Sequence, residues 1–254
     1  MIDLIVFKVG DNRYALKIEN IQRIIQSINL TDIPNAHPLI DGMMSYENGV
    51  IKILNFRKLI GLDSYEGELK EFFIKMKEAH EDWIEALKLS VSTGSKFTKT
   101  TNPHICELGK WIDNFTSYDD NVSVVLSNLA DYHKQLHVAG AEACEVRKSD
   151  QNKAQEIVDV KVNDIYNHTM AALDTFANEL DAVANSLQKL IIYENDGQKF
   201  AIKVDVIEDI AHIKESMIMQ NENNHNINQF LELEGVLDLE GVLINIIKEV
   251  SVPN

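Results

Sequence analysis

Hydrophobic positions along this chain follow two different periods. From Leu4 to Ile18, and again from Leu190 to Val204, apolar and β-branched residues form short runs broken by a Gly/Asp/Asn turn, which predicts hairpins. Between those stretches the period lengthens to three or four residues. Phe72, Phe73, Met76, Ala79, Trp83 and Leu87 predict a helix over residues 66–89, followed by a Ser/Thr-rich loop to Pro103. A short helix is predicted from Cys106 to Phe115, a longer one over 121–146, and a long one over 150–187. The last would bury Ile157, Val160, Ile165, Met170, Leu173, Phe176, Leu180, Val183 and Leu187. No proline lies between Pro103 and Pro253 to break these helices, and four of them predict a four-helix bundle.

The two β-patterned stretches echo each other. Leu4-Ile5-Val6-Phe7 and Arg13-Tyr14-Ala15-Leu16-Lys17-Ile18 align without a gap on Leu190-Ile191-Ile192-Tyr193 and Lys199-Phe200-Ala201-Ile202-Lys203-Val204, at an offset of 186. Ile21 and Ile24 then fall on Ile207 and Ile210. A second echo pairs Gly42, Gly49, Val50 and Ile51 with Gly235, Gly241, Val242 and Leu243, with a slip of one residue. The expected organisation is one small β subdomain per half, residues 1–65 and 190–254, with the helical block 66–189 inserted between them.

The chain is long enough for a core without disulfide staples, and two cysteines, Cys106 and Cys144, provide no disulfide framework. No apolar run approaches the ~18 residues of a membrane span, and the start lacks the basic and small-residue pattern of a signal peptide. A cytoplasmic protein without membrane insertion is therefore expected. A net charge of −16 argues against nucleic acid or an anionic membrane as partner. Residues 190–254 alone carry 12 acidic against 4 basic side chains, so the acidity is uneven, and general solubility accounts for it.

Candidate chemistry lies in the helical block. His133 and His137 stand four apart, which puts both imidazoles on one face of a helix, one turn apart. Such a pair also occurs on ordinary surface or core helices. It is not the HExxH of zinc proteases, because Lys134 stands where the general-base glutamate would be. His80 and Cys106 complete a set of one sulfur and three nitrogen donors that suits a closed Zn²⁺ site, structural or sensing rather than hydrolytic. A thiolate at a helix N-terminus would be favoured by the helix dipole and open to oxidation. His104 is a spare donor that reads as a loop residue, Cys144 reads as a small buried hydrophobe, and Trp83 and Trp111 read as core beside the metal.

The runs His80-Glu81-Asp82-Trp83, Cys106-Glu107-Leu108-Gly109-Lys110-Trp111 and His133-Lys134-Gln135-Leu136-His137 resemble, in order and separation, the HxxW, CxLGKW and HxxxH motifs of the chemoreceptor zinc-binding (CZB) domain. The resemblance spans about residues 66–189 and implies a zinc site formed by His80, Cys106, His133 and His137 inside a four-helix bundle. The flanking halves resemble a CheW-type chemotaxis coupling domain, through Leu4–Ile25, Pro38–Gly42, Val50–Arg57, Lys189–Ile210 and Glu234–Ile247. That resemblance implies an α+β chain with two small β-barrel subdomains, no catalytic activity, and docking to a chemoreceptor cytoplasmic tip and a CheA-type histidine kinase. It also implies partner contacts near Ile21 and Ile24. Where the family has an Asn-Leu-Arg-Gly turn, this chain has Ser45-Tyr46-Glu47-Asn48-Gly49, so a basic residue becomes Glu47; like-charge juxtaposition at an interface can cost several kcal/mol.

The expected function is a chemotaxis scaffold with a built-in sensor of zinc or of oxidation at Cys106. A scaffold with purely structural zinc is the alternative. A metal-dependent enzyme is the third reading, but di-iron bundles want repeated Glu-x-x-His pairs, and this chain has no doubled motif of that kind.

Overall fold

The computed structural model describes residues 1–28, 30–117, 119–195, 197–220 and 226–253. The chain divides into two compact units, residues 1–65 with 184–254, and residues 66–183.

The first unit begins with strands β1 (Ile2–Val9), β2 (Asn12–Lys17) and β3 (Ile21–Gln26), then the hairpin β4 (Ile40–Tyr46) and β5 (Gly49–Asn55) and the single turn α1 (Phe56–Leu59). After the helical block it resumes with β6 (Lys189–Asn195), β7 (Gln198–Val204), β8 (Val206–Ile213), β9 (Met219–Gln220), β10 (Asn226–Asn228), β11 (Leu231–Leu239) and β12 (Val242–Val250). One sheet runs β10-β11-β12-β2-β1-β8, with β9 also on β11; the other runs β3-β6-β7-β5-β4. Pairs β12–β2 and β5–β7 are parallel, and the rest are antiparallel.

Two expectations are corrected here. Neither strand path returns on itself among the described residues, so the sheets are open rather than closed barrels. Nor does each half of the sequence build its own subdomain. The hairpin β1–β2 sits in a sheet otherwise made from the second half, and β6–β7 sits in a sheet otherwise made from the first. The repeat therefore survives as an exchange of hairpins. Its second echo is also cleaner than the sequence suggests. Pairs Ile40–Leu54, Gly42–Ile53 and Tyr46–Gly49 match Leu233–Ile247, Gly235–Ile246 and Leu239–Val242, all at one offset of 193. Gly49 thus aligns with Val242, and there is no slip.

Gly42 and Gly235 mark the same irregularity in each copy. Both sit where the hairpin register shifts, and a Cβ would meet Thr31 O at 2.7 Å in one and Met219 O at 2.4 Å in the other. Only a bare Cα lets the crossing segment approach so closely.

The pleat explains why the strands lack clean polar alternation: both faces are buried. On β1, Phe7 and Val9 face a core shared by both sheets, while Leu4 and Val6 face a second cluster with Leu237, Ile244 and Ile246. On β6, Ile191 and Tyr193 (the counterparts of Ile5 and Phe7) join the shared core, and Leu190 and Ile192 pack with Ile51 and Ile53. Phe7, Tyr14 and Phe56 pack with ring centroids 4.9–5.9 Å apart. Such pairs contribute about 0.5–1.5 kcal/mol each beyond burial. The buried Arg57 guanidinium bonds the Asp205 carboxylate, which also accepts from Gly10 N at 2.9 Å and Gln188 Nε2 at 3.0 Å.

The second unit is helical: α2 (Tyr65–Thr93), α3 (Glu107–Asn114), α4 (Asp120–Val146), then α5 (Gln151–Glu156), a π-helical turn Ile157–Val162, α6 (Asn163–Ala177) and α7 (Leu180–Leu187), whose last residues belong to the first unit. Asp119 and Asp150 cap α4 and α5, accepting from backbone N–H groups at 2.9–3.1 Å. α2 runs four residues past its expected end, and the long helix predicted over 150–187 is interrupted.

The expected core stripe is corrected along this segment. Ala154, Val158 and Val162 are buried at four-residue steps, whereas Val160 is 67% exposed. Residue 160 stands two positions from both Val158 and Val162, about half a turn around the helix, and so faces outward. The buried residues pack with Trp83, Leu87, Leu136, Ala139 and Ala143, joining α2, α4 and the α5–π segment.

Candidate metal centre

α2 buries a stripe that includes Met76, His80, Trp83, Ile84 and Leu87. Its spacing of three and four carries His80 inward as one member of the apolar face. On α4 the same spacing carries His133, Leu136, His137 and Gly140 inward. Cys106 is the N-cap of α3, and its Sγ accepts from Gly109 N at 3.3 Å. One ligand atom from each of His80, Cys106, His133 and His137 lies within 4.8 Å of all the others. Imidazole centroids are 5.2 Å apart for His80–His133, 5.9 Å for His80–His137 and 4.7 Å for His133–His137.

Hydrogen bonding prepares the donors. His80 Nδ1 meets Met76 O at 2.7 Å, so Nδ1 carries the proton and the Nε2 lone pair is left for a ligand. Cys106 Sγ lies 3.1 Å from His133 Nε2. Both nitrogens of fully buried His137 lack any hydrogen-bond partner. The nearby Thr100 carbonyl accepts from Trp83 Nε1 at 2.7 Å. An unsatisfied buried polar group costs about 1–3 kcal/mol, and a metal ion removes that cost.

The residues fit Zn²⁺. One thiolate and three imidazoles are its structural ligand set, and tetrahedral geometry sets neighbouring N and S donors about 3.3–3.6 Å apart. Cys106 and His133 are already near that separation.

The electrostatics favour neutral histidines. Burial, then the charges of His137, His80 and His104, push His133 down to about 3, and burial followed by His80 pushes His137 down to about 4. Burial also lowers His80, against its bond to Met76. The Cys106 thiol moves the other way from the sequence expectation. Burial raises it, Asp113 and Glu107 add to the rise, and the N–H groups of Gly109 and Leu108 offset only part. Desolvation outweighs the helix N-terminus, so a thiolate here would need a bound cation rather than the helix alone.

Two glycines not singled out as site residues hold this geometry. A Cβ on Gly109 would lie 1.7 Å from Pro103 O and 3.2 Å from His133 Cε1; one on Gly140 would lie 2.3 Å from Trp83 Cη2. Trp83 in turn lies 5.1 Å from His137, centroid to centroid. The signal for both was a glycine inside a helical pattern. Trp111 packs on Phe73, Phe115 and Phe176 instead. His104 lies outside the cluster, exposed, with Nδ1 2.9 Å from Asp113 Oδ2. Cys144 is partly buried against the α2–α4 core, away from the cluster.

The residues expected at a partner surface are placed in the first unit. Ile21 and Ile24 are partly buried on β3 and pack against the shared core. Glu47 is at the β4–β5 turn with φ 53°, and its carboxylate meets Lys199 Nζ at 3.1 Å. Its repeat counterpart Glu240 has φ 55°.

Comparison with known proteins finds two domain families along the chain. Residues 3–82 match the CheW-like domain and residues 80–144 the chemoreceptor zinc-binding domain. The chain therefore carries both domains, and neither matching family model describes an enzyme. Chemotaxis protein CheW of Thermotoga maritima is 19% identical over 72 residues, 28% of this chain; the chain spans about half, 48%, of that relative's length. Among solved structures, the scaffolding protein TtCheW of Thermoanaerobacter tengcongensis aligns over 97% of this chain and 88% of its own, at 14% identity and TM-score 0.45. The regulatory CZB domain of DgcZ aligns over 45% of this chain and 98% of its own, at 18% identity and TM-score 0.38.

Proposed function

We propose that this chain, which joins a CheW-like domain to a chemoreceptor zinc-binding domain, is a cytoplasmic chemotaxis scaffold. It docks a chemoreceptor cytoplasmic tip and a CheA-type histidine kinase, and it senses zinc or oxidant through its helical unit. In this reading residues 1–65 and 190–254 are the two coupling halves and residues 66–189 are a zinc-binding four-helix bundle. Ile21, Ile24 and the Glu47 turn belong to the docking surface. The observation that carries the reading is the convergence of His80, Cys106, His133 and His137 within 4.8 Å of one another. The absence of any helix long and apolar enough to cross a membrane, among the described residues, is consistent with it.

Zn²⁺, held by those four residues, would cross-link α2, α3 and α4. The chain's own groups do the rest. The Met76 carbonyl orients His80, and burial keeps His133 and His137 neutral and ready to donate. Cys106 is the N-cap of a helix of only eight residues, so losing its thiolate to oxidation releases both a donor and a cap. The segment's covalent ends follow α1 on one side and enter β6 on the other. Repacking of the helices thereby reaches strands of the five-stranded sheet.

The test is zinc content and co-precipitation with kinase and receptor fragments, for the wild-type chain and Cys106→Ala, with and without a chelator. Sensing requires that zinc loss change partner binding. If zinc is lost and binding is unmoved, the ion is only structural. If the wild-type chain carries no zinc, the metal assignment fails.

A further inference from the structure

Three of the four cluster residues, His80, His133 and His137, are no more than 4% exposed. An ion therefore needs a route to them. A groove of about 190 Å³ lies against His133 and is lined by Pro103, His104, Asp113, Asp131, His133 and Lys134 among others. Two features make it more than a crevice. Its inner wall includes a cluster residue, His133, together with Pro103, whose carbonyl accepts from Cys106 Sγ at 3.4 Å. Its outer wall includes an exposed imidazole, His104, with Nδ1 2.9 and 3.2 Å from the two Asp113 oxygens.

We propose that this groove is the entry path of Zn²⁺ and that His104, oriented by Asp113, is the residue that captures the ion before it reaches Cys106 and His133. The inference rests on the zinc-binding reading above. A carboxylate bonded to one imidazole nitrogen fixes the tautomer and leaves the other nitrogen as a lone-pair donor, the arrangement that supports metal-ligating histidines. Two carboxylates, Asp113 and Asp131, against one ammonium, Lys134, give the groove a cation-attracting balance. An imidazole at the mouth also lets a hydrated ion exchange waters for protein ligands one at a time. His104 is not a fifth ligand of the loaded site: it lies outside the four-residue cluster.

A path residue speeds binding and release by the same factor and leaves the equilibrium unchanged. That separates it from a ligand or a structural residue. The experiment uses the full chain stripped of metal and mixed rapidly with Zn²⁺, with uptake followed by tryptophan emission, since Trp83 lies against His137. Release is followed by challenge with excess chelator. His104→Ala is expected to slow uptake and release alike, by about tenfold on the scale of electrostatic and capture effects on association, with Kd and Tm unchanged. Asp113→Asn, which leaves the histidine in place, is expected to act in the same direction. Unchanged rates in both variants overturn the proposal. So does a change in Kd confined to the release rate, because it assigns His104 to the bound site. Wild-type protein that takes up no zinc overturns the metal reading itself, a separate outcome visible before any variant is made.

Discussion

Replacing Gly109 with alanine tests whether the close approach of α3 to the Pro103 carbonyl sets the metal centre. The added Cβ would fall 1.7 Å from Pro103 O and 2.8 Å from its carbonyl carbon, where contact distances are near ~3.2 Å or more. Something must move by about 1.5 Å. The obstacle is backbone, and the same segment holds Cys106, whose Sγ bonds both Pro103 O and Gly109 N. Overpacking of this kind costs about 1–3 kcal/mol, and the better helix propensity of alanine returns at most ~1 kcal/mol, so a net loss of about 1–2 kcal/mol is expected. The effect on zinc is larger. Metal–ligand lengths tolerate about ±0.2 Å, so a shift several times that size removes the thiolate and weakens binding about 10–100-fold. The assay is competition with a zinc-chelating dye, with cobalt substitution to read the sulfur-to-metal absorption band and urea denaturation to read stability. An alanine variant that keeps wild-type affinity and the sulfur band would refute the argument that this contact positions Cys106.

Further outcomes follow from the same geometry. His133 and His137 sit at about 3 and 4, against 6.5 for a free histidine, so the unfolded chain binds their protons first. Stability of the metal-free protein therefore falls as pH drops below about 6.5, by about 2 kcal/mol per histidine between about pH 7.5 and about pH 5. Urea midpoints across that range should lose most of this slope in the His133→Gln/His137→Gln double variant; an equal slope there would reject the account. Gly140→Ala drives a methyl into Trp83 and is expected to alter tryptophan emission and lower zinc affinity, while Gly140→Ser should be no milder. Val158→Ala should cost about 1–3 kcal/mol and Val160→Ala less than about 0.5 kcal/mol by thermal melts, the reverse of what the stripe expected from the sequence would give. Asp205→Ala removes the carboxylate shared by the Arg57 guanidinium, Gly10 N and Gln188 Nε2, leaves Arg57 its bond to Asp63 O, and should cost about 3 kcal/mol, read by denaturation of the sheet unit.

The sequence by itself determined the periods, and through them the elements: hairpins at both ends, helices between, and the offset of 186 that relates the two β stretches. It also put His133 and His137 on one helix face, because a spacing of four has only one consequence in a helix. What period cannot encode is which copy of a repeated hairpin pairs with which sheet. Two near-equivalent strands present near-equivalent faces, so the exchange of β1–β2 and β6–β7 was decided only by tertiary packing. The apolar residues of 150–187 also allowed more than one stripe, and packing against α2 and α4 chose the face of Ala154, Val158 and Val162, which leaves Val160 on the opposite side. The tertiary structure also decided the fate of the Cys106 thiol. Local position at a helix N-terminus favours the thiolate, but burial, a property of the surrounding fold, dominates and raises the thiol's pKa.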